Sequence, residues 1–174
     1  MVNNIKLVCF YGPESTGKSF LAKKMAEKYR TEFVPEVARE FITSNEFSRE
    51  DIILIGKAQT ERIFQKARKA NKILFCDTDL ITTQIYSRQY LKVVPPVLYE
   101  LEKMMEYDLY FLFDIDVLWI KDGLRDLGDE KKREEMYEIF KSELVQRNIS
   151  YVNVQGDWYE REQIIIKEVN KLMR

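Results

Sequence analysis

The chain has 174 residues, of which 45% are apolar and 33% charged, enough for one globular domain with a substantial core. Its 28 Lys and Arg nearly balance its 29 Asp and Glu, and the formal net charge of -1 argues against a duplex nucleic-acid partner. Histidine is absent, which excludes a His-based triad or a His-ligated metal.

Short β-rich runs alternate along the chain with longer amphipathic ones. Residues 5–11 predict a buried strand, and residues 18–30 predict a helix with one apolar face. Residues 31–35 predict a second strand, and a brief helix is expected at about 37–43.

The second half of the pattern begins at Ser48, where Ser-Arg-Glu-Asp before an apolar run resembles the capping box of a long helix. Residues 72–76, 109–113 and 149–154 predict three more strands, and a helix closes the chain. Near-continuous apolar strands between helices predict one α/β domain, residues 1–174, with about five parallel strands covered on both faces.

Two further features suggest where the protein works. Cys9 and Cys76 both lie in apolar runs, which is typical of buried, reduced thiols in a cytoplasmic protein. No run reaches the length of a membrane span, and the N-terminal apolar stretch is too short for a signal peptide. We therefore expect a cytoplasmic protein without a membrane partner, and its oligomeric state, including a homo-oligomer, is left open.

The first loop carries the strongest motif, because GPESTGKS at residues 12–19 matches G-x-x-x-x-G-K-[ST] between a predicted strand and a predicted helix. In such a loop the backbone N–H groups and the helix N-terminus face the phosphates. Lys18, expected on a solvent-facing loop, would reach the β- and γ-phosphates, and the Ser19 hydroxyl would ligate Mg²⁺. The motif predicts a nucleoside triphosphate with Mg²⁺.

The motif alone does not separate a kinase from a GTPase or a mechanical ATPase. No guanine-reading N-K-x-D follows a later strand, which argues against a switch GTPase. A motor ATPase usually needs more chain for subunit contacts. A small-molecule kinase, with an acceptor pocket beside the phosphate loop and a mobile lid, fits the length best.

Glu36, Arg39 and Glu40 follow the second predicted strand, at the edge where α/β sheets bind ligands. Glu36 would accept a proton from a sugar hydroxyl as general base. The alternative is an ordinary solvated helix start with acidic residues in its first turn.

Asp77 and Asp79 come directly after the third predicted strand. A carboxylate there would hold the Mg²⁺ shell through water or bind the acceptor hydroxyls. Capping of the next helix by Asp77 or Thr78 is the alternative, and the residues do not decide whether Glu36 or Asp77 is the base.

A lid is expected after the fourth strand, where Gly123 and Gly128 flank Arg125. A glycine-hinged segment of this kind would bring a cation onto the transferring phosphoryl group and exclude water. Beyond this segment we expect a solvated helix face, formed by Lys131, Lys132 and Arg133.

Taken together, GPESTGKS, PEVAREF, CDTDLITTQIYSRQY, YDLYFLFDIDVLWIKDGLRDLG and YVNVQGDWYER resemble the ribosylnicotinamide kinase domain of NadR-type NAD-biosynthesis proteins. The resemblance runs from about Ile5 to Leu172. It implies a three-layer P-loop fold of the nucleoside and nucleotide kinase type with a short lid. It also implies the reaction ATP + nicotinamide riboside → ADP + nicotinamide mononucleotide.

The resemblance also implies site residues in this chain. ATP is expected on the phosphate loop and the GDWYER turn, at Gly12, Pro13, Glu14, Ser15, Thr16, Gly17, Lys18, Ser19, Phe20 and Trp158. The nucleoside is expected on Glu36, Arg39, Asp77, Asp79 and Tyr90 and, in the lid region, on Trp119 and Asp122. Lys18, Glu36, Asp77 and Arg125 would carry catalysis, with Mg²⁺ at Ser19 and Asp77.

Two departures from the family pattern bear on function. Met1 directly precedes the first strand, so neither the adenylyltransferase nor the DNA-binding domain of larger family members is expected. Pro35 and Val37 stand where the family tends to place aromatics, and Tyr86, Tyr90 or Phe41 would have to compensate. Two alternatives stay open. One is a kinase whose acceptor is another nucleoside or a nucleoside monophosphate, and the other is a regulatory domain that hydrolyses ATP.

Overall fold

Five parallel strands form one sheet in the order β2-β3-β1-β4-β5. The structure is a computed structural model that describes residues 5–42, 44, 46–118 and 129–174. The strands are β1 Lys6–Tyr11, β2 Phe33–Val34, β3 Ile73–Asp77, β4 Leu109–Phe113 and β5 Tyr151–Val154. The helices of the described residues are α1 Lys18–Tyr29, α2 Ala38–Phe41, α3 Arg49–Ala67, α4 Leu80–Leu91, α5 Pro96–Glu102, α6 Glu130–Gln146 and α7 Trp158–Leu172.

The strand order places β1 at the centre of the sheet. The chain leaves β1 for β2 and β3 on one side, and later adds β4 and β5 on the other. In open sheets of this kind, ligands bind outside the carboxyl ends of the strands, where the order reverses. Phe10 pairs with Asp77 across β1 and β3, so the end of β3 lies beside the start of the phosphate loop.

The core lies on both faces of the sheet, because side chains alternate along β1. Phe10 points into a cluster with α1 and α7, whereas Tyr11 packs with α4 and α6 on the other face. Cys9 and Cys76 are buried free thiols, which agrees with the sequence. No described helix has the length and apolar character needed to cross a bilayer.

The predicted elements form, with shifts at their ends. Strand β2 is only two residues long, because Thr31 uses its hydroxyl on the Ile73 carbonyl and Pro35 has no N–H to donate. Strand β5 begins at Tyr151, since Asn148 adopts a positive φ of 55° and Ile149 N–H still bonds to α6. Residues 31, 32, 35, 149 and 150, which were predicted as strand, therefore lie outside β2 and β5.

The capping box at Ser48 is confirmed. Ser48 Oγ accepts a hydrogen bond from Asp51 N–H at 3.1 Å, and the Asp51 carboxylate accepts one from Ser48 N–H at 2.8 Å. A second capping box, between Asp157 and Glu160, starts α7. These caps satisfy free N–H groups of the two helices that flank the site.

Candidate active site

A cavity of about 280 Å³ opens where the loops after β1, β2 and β3 meet. Its volume is close to the lower end of the range of about 300–1,000 Å³ that is usual for small-molecule sites. The polar end is lined by Gly12, Glu14, Ser15, Thr16, Gly17, Lys18, Ser19, Phe20, Glu36, Arg39 and Thr78. The rest is lined by Ala38, Ile42, Phe47, Ile52, Ile55, Gln59, Thr82, Thr83, Tyr86 and Tyr90.

Two glycines shape the loop between β1 and α1. Gly12 has a φ of +135°, and a Cβ there would approach the Phe113 carbonyl oxygen to 2.9 Å. Gly17 has a φ of +87°, and its Cβ would lie 2.5 Å from the Trp158 ring. Since L side chains rarely adopt these φ values, both positions require glycine, and α1 can begin at Lys18 with its N-terminus at the cavity.

Lys18 was expected on a solvent-facing loop, but the residue is buried. Only 8% of it is exposed, and its Nζ donates hydrogen bonds to the Pro13 carbonyl and the Thr16 hydroxyl. Burial lowers the pKa of the Lys18 ammonium, and the nearby carboxylates of Asp77 and Glu36 counter that effect. The ammonium is therefore held against the phosphate loop, where it is expected to bind the phosphates of the nucleotide.

Asp77 ends β3 beside Lys18 and Ser19. Its side chain is 1% exposed, and its Oδ1 has no hydrogen-bond partner within the described ranges. Burial, followed by repulsion from Glu36, raises the pKa of the Asp77 carboxyl to about 6, while Lys18 and a hydrogen bond with Ser19 act in the opposite direction. A buried carboxylate oxygen without a partner is costly, which is typical of a position that receives a ligand.

Asp79 has a structural role. Its Oδ1 accepts hydrogen bonds from the Thr82 N–H at 2.9 Å and the Thr82 hydroxyl at 3.0 Å. Its Oδ2 accepts one from the Tyr110 hydroxyl at 2.9 Å. Asp79, rather than Asp77 or Thr78, therefore caps α4, and it does not line the cavity where the nucleoside was expected.

Glu36 and Arg39 both line the cavity, as expected for the acceptor side. Arg39 Nε donates to Glu36 Oε2 at 2.7 Å, so the arginine orients the carboxylate. Glu40 is instead paired with Arg62 through two hydrogen bonds of 2.9 Å and lies outside the cavity lining. The two acidic residues of this segment thus have separate partners.

The apolar end of the cavity has aromatic walls. Tyr90 contacts Phe47 edge-on with ring centroids 5.5 Å apart, and it stacks on Tyr86 with centroids 6.3 Å apart. Phe41 is 45% exposed and does not line the cavity. Phe47, which the sequence did not single out, therefore joins Tyr86 and Tyr90 in supplying aromatic surface. Val37 is itself buried in the core.

Trp158 begins α7 and lies against Gly17 of the phosphate loop. Its ring meets Phe20 edge-on at 5.7 Å, and both rings are more than half exposed. Phe20 lines the cavity, whereas Trp158 borders the loop from outside the lining. The two rings form an exposed aromatic edge beside the phosphate loop.

Arg161 anchors the phosphate loop from behind and was missed as a site residue. It is fully buried and donates hydrogen bonds to three carbonyl oxygens: Thr16 at 3.1 Å, Gly156 at 2.8 Å and Asp114 at 3.2 Å. It also pairs with the Asp116 carboxylate. The charged residue inside the GDWYER turn was visible in the sequence, but its distant partners were not.

The expected lid residues Trp119, Asp122 and Arg125 lie outside the described residues. Beyond that segment, Lys131 and Lys132 are exposed, as expected for a solvated helix face. Arg133 differs, because its Nη2 donates to the Val117 carbonyl at 3.1 Å. The basic run is therefore only partly solvated.

The family profile described as "AAA domain" matches residues 7–161. The chain belongs to this AAA domain family. It is 32% identical over 164 residues to the trifunctional NAD biosynthesis/regulator protein NadR of Escherichia coli (strain K12) and 31% identical to that of Salmonella typhimurium. Each alignment covers 90% of this chain and 40% of the relative, so the chain spans about two fifths of the curated relatives' length.

Solved structures agree on the fold of this AAA domain. NadR protein in complex with NR superposes with a TM-score of 0.86 at 24% identity, covering 98% of this chain and 52% of that one. Deoxyadenosine kinase from M. mycoides superposes with a TM-score of 0.65 at 13% identity, covering 95% of this chain and 99% of that one. The chain therefore has the P-loop kinase fold with a five-stranded parallel sheet.

Proposed function

We propose that this AAA domain is a kinase that transfers the γ-phosphoryl group of ATP to the 5′-hydroxyl of nicotinamide riboside, giving nicotinamide mononucleotide. The observation that carries the proposal is one continuous cavity that joins a phosphate loop to an aromatic-walled end. The curated relatives are named for NAD biosynthesis, and one similar structure is a NadR complex with NR.

The donor nucleotide is held by the phosphate loop. Its backbone N–H groups and the N-terminus of α1 attract the phosphates, and the Lys18 ammonium exchanges its bonds to Pro13 and Thr16 for phosphate oxygens. Charge-assisted bonds to phosphate are stronger than bonds to a carbonyl or a hydroxyl, which favours the exchange. Phe20 and Trp158 offer aromatic faces for the adenine beside the loop.

The residues beside the loop fit a magnesium ion. The described residues contain no cluster of three or more acidic or thiol ligands, but Mg²⁺ typically takes only one or two carboxylates together with phosphates and water. The Ser19 hydroxyl and Asp77 Oδ1, which has no hydrogen-bond partner in the described part of the chain, provide that set. When bound, Mg²⁺ would neutralise charge on the β- and γ-phosphates.

The acceptor hydroxyl is oriented by Glu36. Glu36 lines the cavity and is held in place by Arg39, whereas Asp77 is 1% exposed and is not part of the lining. This difference in access supports Glu36 over Asp77 as the group that accepts the hydroxyl proton. Tyr86, Tyr90 and Phe47 would receive the cationic pyridinium ring, because aromatic faces attract cations.

Positioning and charge neutralisation supply most of the rate in phosphoryl transfer, since the protein has little covalent work to do. Lys18 contributes a cation at the transferred phosphoryl group. We assign the same role to Arg125 on the strength of the sequence, as a second cation that acts mainly in the transition state.

The test is a panel of nucleosides incubated with ATP and Mg²⁺ and read by mass spectrometry for a product one phosphate heavier. Nicotinamide riboside is compared with uridine, cytidine, adenosine and their monophosphates, and Lys18→Ala is the inactive control. We expect nicotinamide riboside to show the highest kcat/KM.

A higher kcat/KM for a neutral nucleoside or a monophosphate would replace the acceptor but keep the kinase. Hydrolysis of ATP without any phosphorylated product would overturn the kinase and leave an ATP-hydrolysing regulatory domain. The control separates both results from contaminating activity, because it removes the phosphate-binding ammonium.

A further inference from the structure

Gln59 of α3 carries an unused hydrogen-bond donor at the cavity. The residue is 2% exposed and belongs to the cavity lining. Its Oε1 accepts a hydrogen bond from the Val37 N–H at 3.3 Å. Its Nε2 is buried and has no hydrogen-bond partner among residues 5–42, 44, 46–118 and 129–174.

The orientation of this amide follows from its one hydrogen bond. A backbone N–H can only donate, so the atom of Gln59 that faces Val37 must be the oxygen. The nitrogen is therefore the atom left over, and its two N–H groups need an acceptor. Buried amide donors are rarely left unpaired in native proteins, and such a group calls for a specific explanation.

The position of Gln59 on α3 shows which side chains lie beside it in the cavity. Ile52, Ile55 and Gln59 recur at spacings of three and four, on one face of α3, and all three line the cavity. Gln59 is thus the polar member of an otherwise apolar stripe. A flat base lying in this end would meet mainly hydrocarbon and aromatic rings, and Gln59 is the side chain of the lining that holds a buried amide donor without a partner among the described residues.

We propose that Gln59 Nε2 donates a hydrogen bond to a carbonyl oxygen on the base of the substrate. The inference rests on the proposed function, under which that oxygen belongs to the carboxamide of nicotinamide riboside. The last side-chain torsion of glutamine is broad, so the amide can adjust its direction toward such an acceptor. Gln59 is then a specificity-determining residue, distinct from the groups at the phosphate end.

The same logic applies at both ends of the substrate. Asp77 Oδ1, close to Lys18 and Ser19, and Gln59 Nε2, on a residue of the cavity lining, are both buried atoms without a hydrogen-bond partner among the described residues. A site built around an unpaired polar group rejects a substrate that cannot pair with it. We expect discrimination of about tenfold to a hundredfold against a base that lacks the carbonyl.

The experiment compares nicotinamide riboside with pyridine riboside, which has the same cationic ring and ribose but no carboxamide. The measured quantity is the ratio of kcat/KM for the two substrates. Gln59→Glu keeps an oxygen for Val37 N–H and replaces the donor, and Gln59→Met removes both polar atoms at similar length. The introduced carboxylate can accept a hydrogen bond from the carboxamide NH2 group, so Gln59→Met, which offers neither a donor nor a carboxylate, is the decisive variant.

The wild type should favour nicotinamide riboside by about tenfold or more, and Gln59→Met should bring the ratio close to one. Gln65→Glu makes the same change at an exposed position of α3 and should leave the ratio unchanged. Thermal unfolding of each variant identifies a loss of folding, which lowers both kcat/KM values together and does not move the ratio.

Two results overturn the inference while the kinase assignment stands. One is a wild type that uses both substrates equally well, and the other is a Gln59→Met variant that keeps the wild-type ratio. A wild type that does not phosphorylate nicotinamide riboside overturns the proposed function, and the inference falls with it. Phosphorylation of nicotinamide riboside by the wild type thus tests the proposed function, and the substrate ratios of wild type and variants test the role of Gln59.

Discussion

Replacing Arg161 by methionine is expected to destabilise the protein and to weaken ATP binding at the same time. The guanidinium is fully buried between α7 and the phosphate loop. It donates to the carbonyls of Thr16, Gly156 and Asp114 and pairs with the Asp116 carboxylate. Methionine fills much of the volume but provides no donor.

The size of the effect follows from these partners. Removing one member of a buried ion pair costs about 3–5 kcal/mol in general. Asp116 is 38% exposed, so water recovers part of its hydration and the lower end applies. The three carbonyls lose charge-assisted donors, and we expect a total loss of about 3 kcal/mol in the free energy of unfolding. For a chain of this size, that corresponds to a fall in Tm of about 6–12 °C.

The functional consequence concerns the loop itself. Thr16 lies in the phosphate loop, and its carbonyl is tied to Arg161 across 145 positions of sequence. Without that tie the loop is less well ordered before ATP binds, so KM for ATP should rise more than KM for the nucleoside.

The assay combines thermal unfolding with steady-state kinetics on the same preparations. Arg68→Met, at an exposed arginine just after α3, is the matched control and should change stability by less than about 0.5 kcal/mol. Arg161→Lys keeps the charge without the planar fork and should be intermediate. A Tm for Arg161→Met within about 2 °C of the wild type would refute the reasoning.

Three further predictions concern the cavity. Lys18→Ala should abolish phosphoryl transfer in single-turnover experiments, and activity within about tenfold of the wild type would contradict a phosphate-binding role. Because burial raises the pKa of the Asp77 carboxyl to about 6, the folded protein binds the proton more tightly than the unfolded chain, and stability falls as the pH rises from about 4 to 6. Asp77→Asn should therefore raise the free energy of unfolding at pH 7 by up to about 3 kcal/mol and give no gain at pH 4. The same variant should lose most of its activity. Equal stability of variant and wild type at pH 7 in chemical denaturation would disprove this. Tyr90→Ala should raise KM for the nucleoside about fivefold and leave KM for ATP unchanged, because the ring lines the aromatic end of the cavity. Tyr90→Phe keeps the aromatic ring and serves as the control. An unchanged nucleoside KM in Tyr90→Ala would exclude the contact.

The parts of the site that the sequence predicted are the ones formed by contiguous residues. The phosphate loop spans residues 12–19, and its glycines, lysine and hydroxyl have fixed places in a single turn between β1 and α1. The capping box at Ser48 is equally local, since both of its hydrogen bonds join residues three apart. Local geometry leaves such motifs little freedom, so composition and spacing are sufficient.

The roles of Asp77 and Asp79 show the first limit. The sequence places both after the third predicted strand, proposes ligand binding for both, and offers capping of the next helix to Asp77 or Thr78 but not to Asp79. In the structure Thr78 adopts a positive φ of 70° between them and redirects the chain. Asp77 then faces Lys18 and Ser19, whereas Asp79 faces Tyr110 on β4. Side-chain direction depends on a backbone angle that residue type alone does not specify.

The remaining site residues depend on contacts between distant parts of the chain. Sequence determined that this protein has a phosphate loop on a parallel α/β sheet, because those features arise from short-range periodicity and turn chemistry. Only the tertiary structure decided that Arg161 anchors Thr16, that Phe47 lies against Tyr90, and that Gln59 carries a donor with no partner among the residues the structure describes. Those properties are set by which helices pack beside the central strand, and packing brings together residues that no local pattern connects.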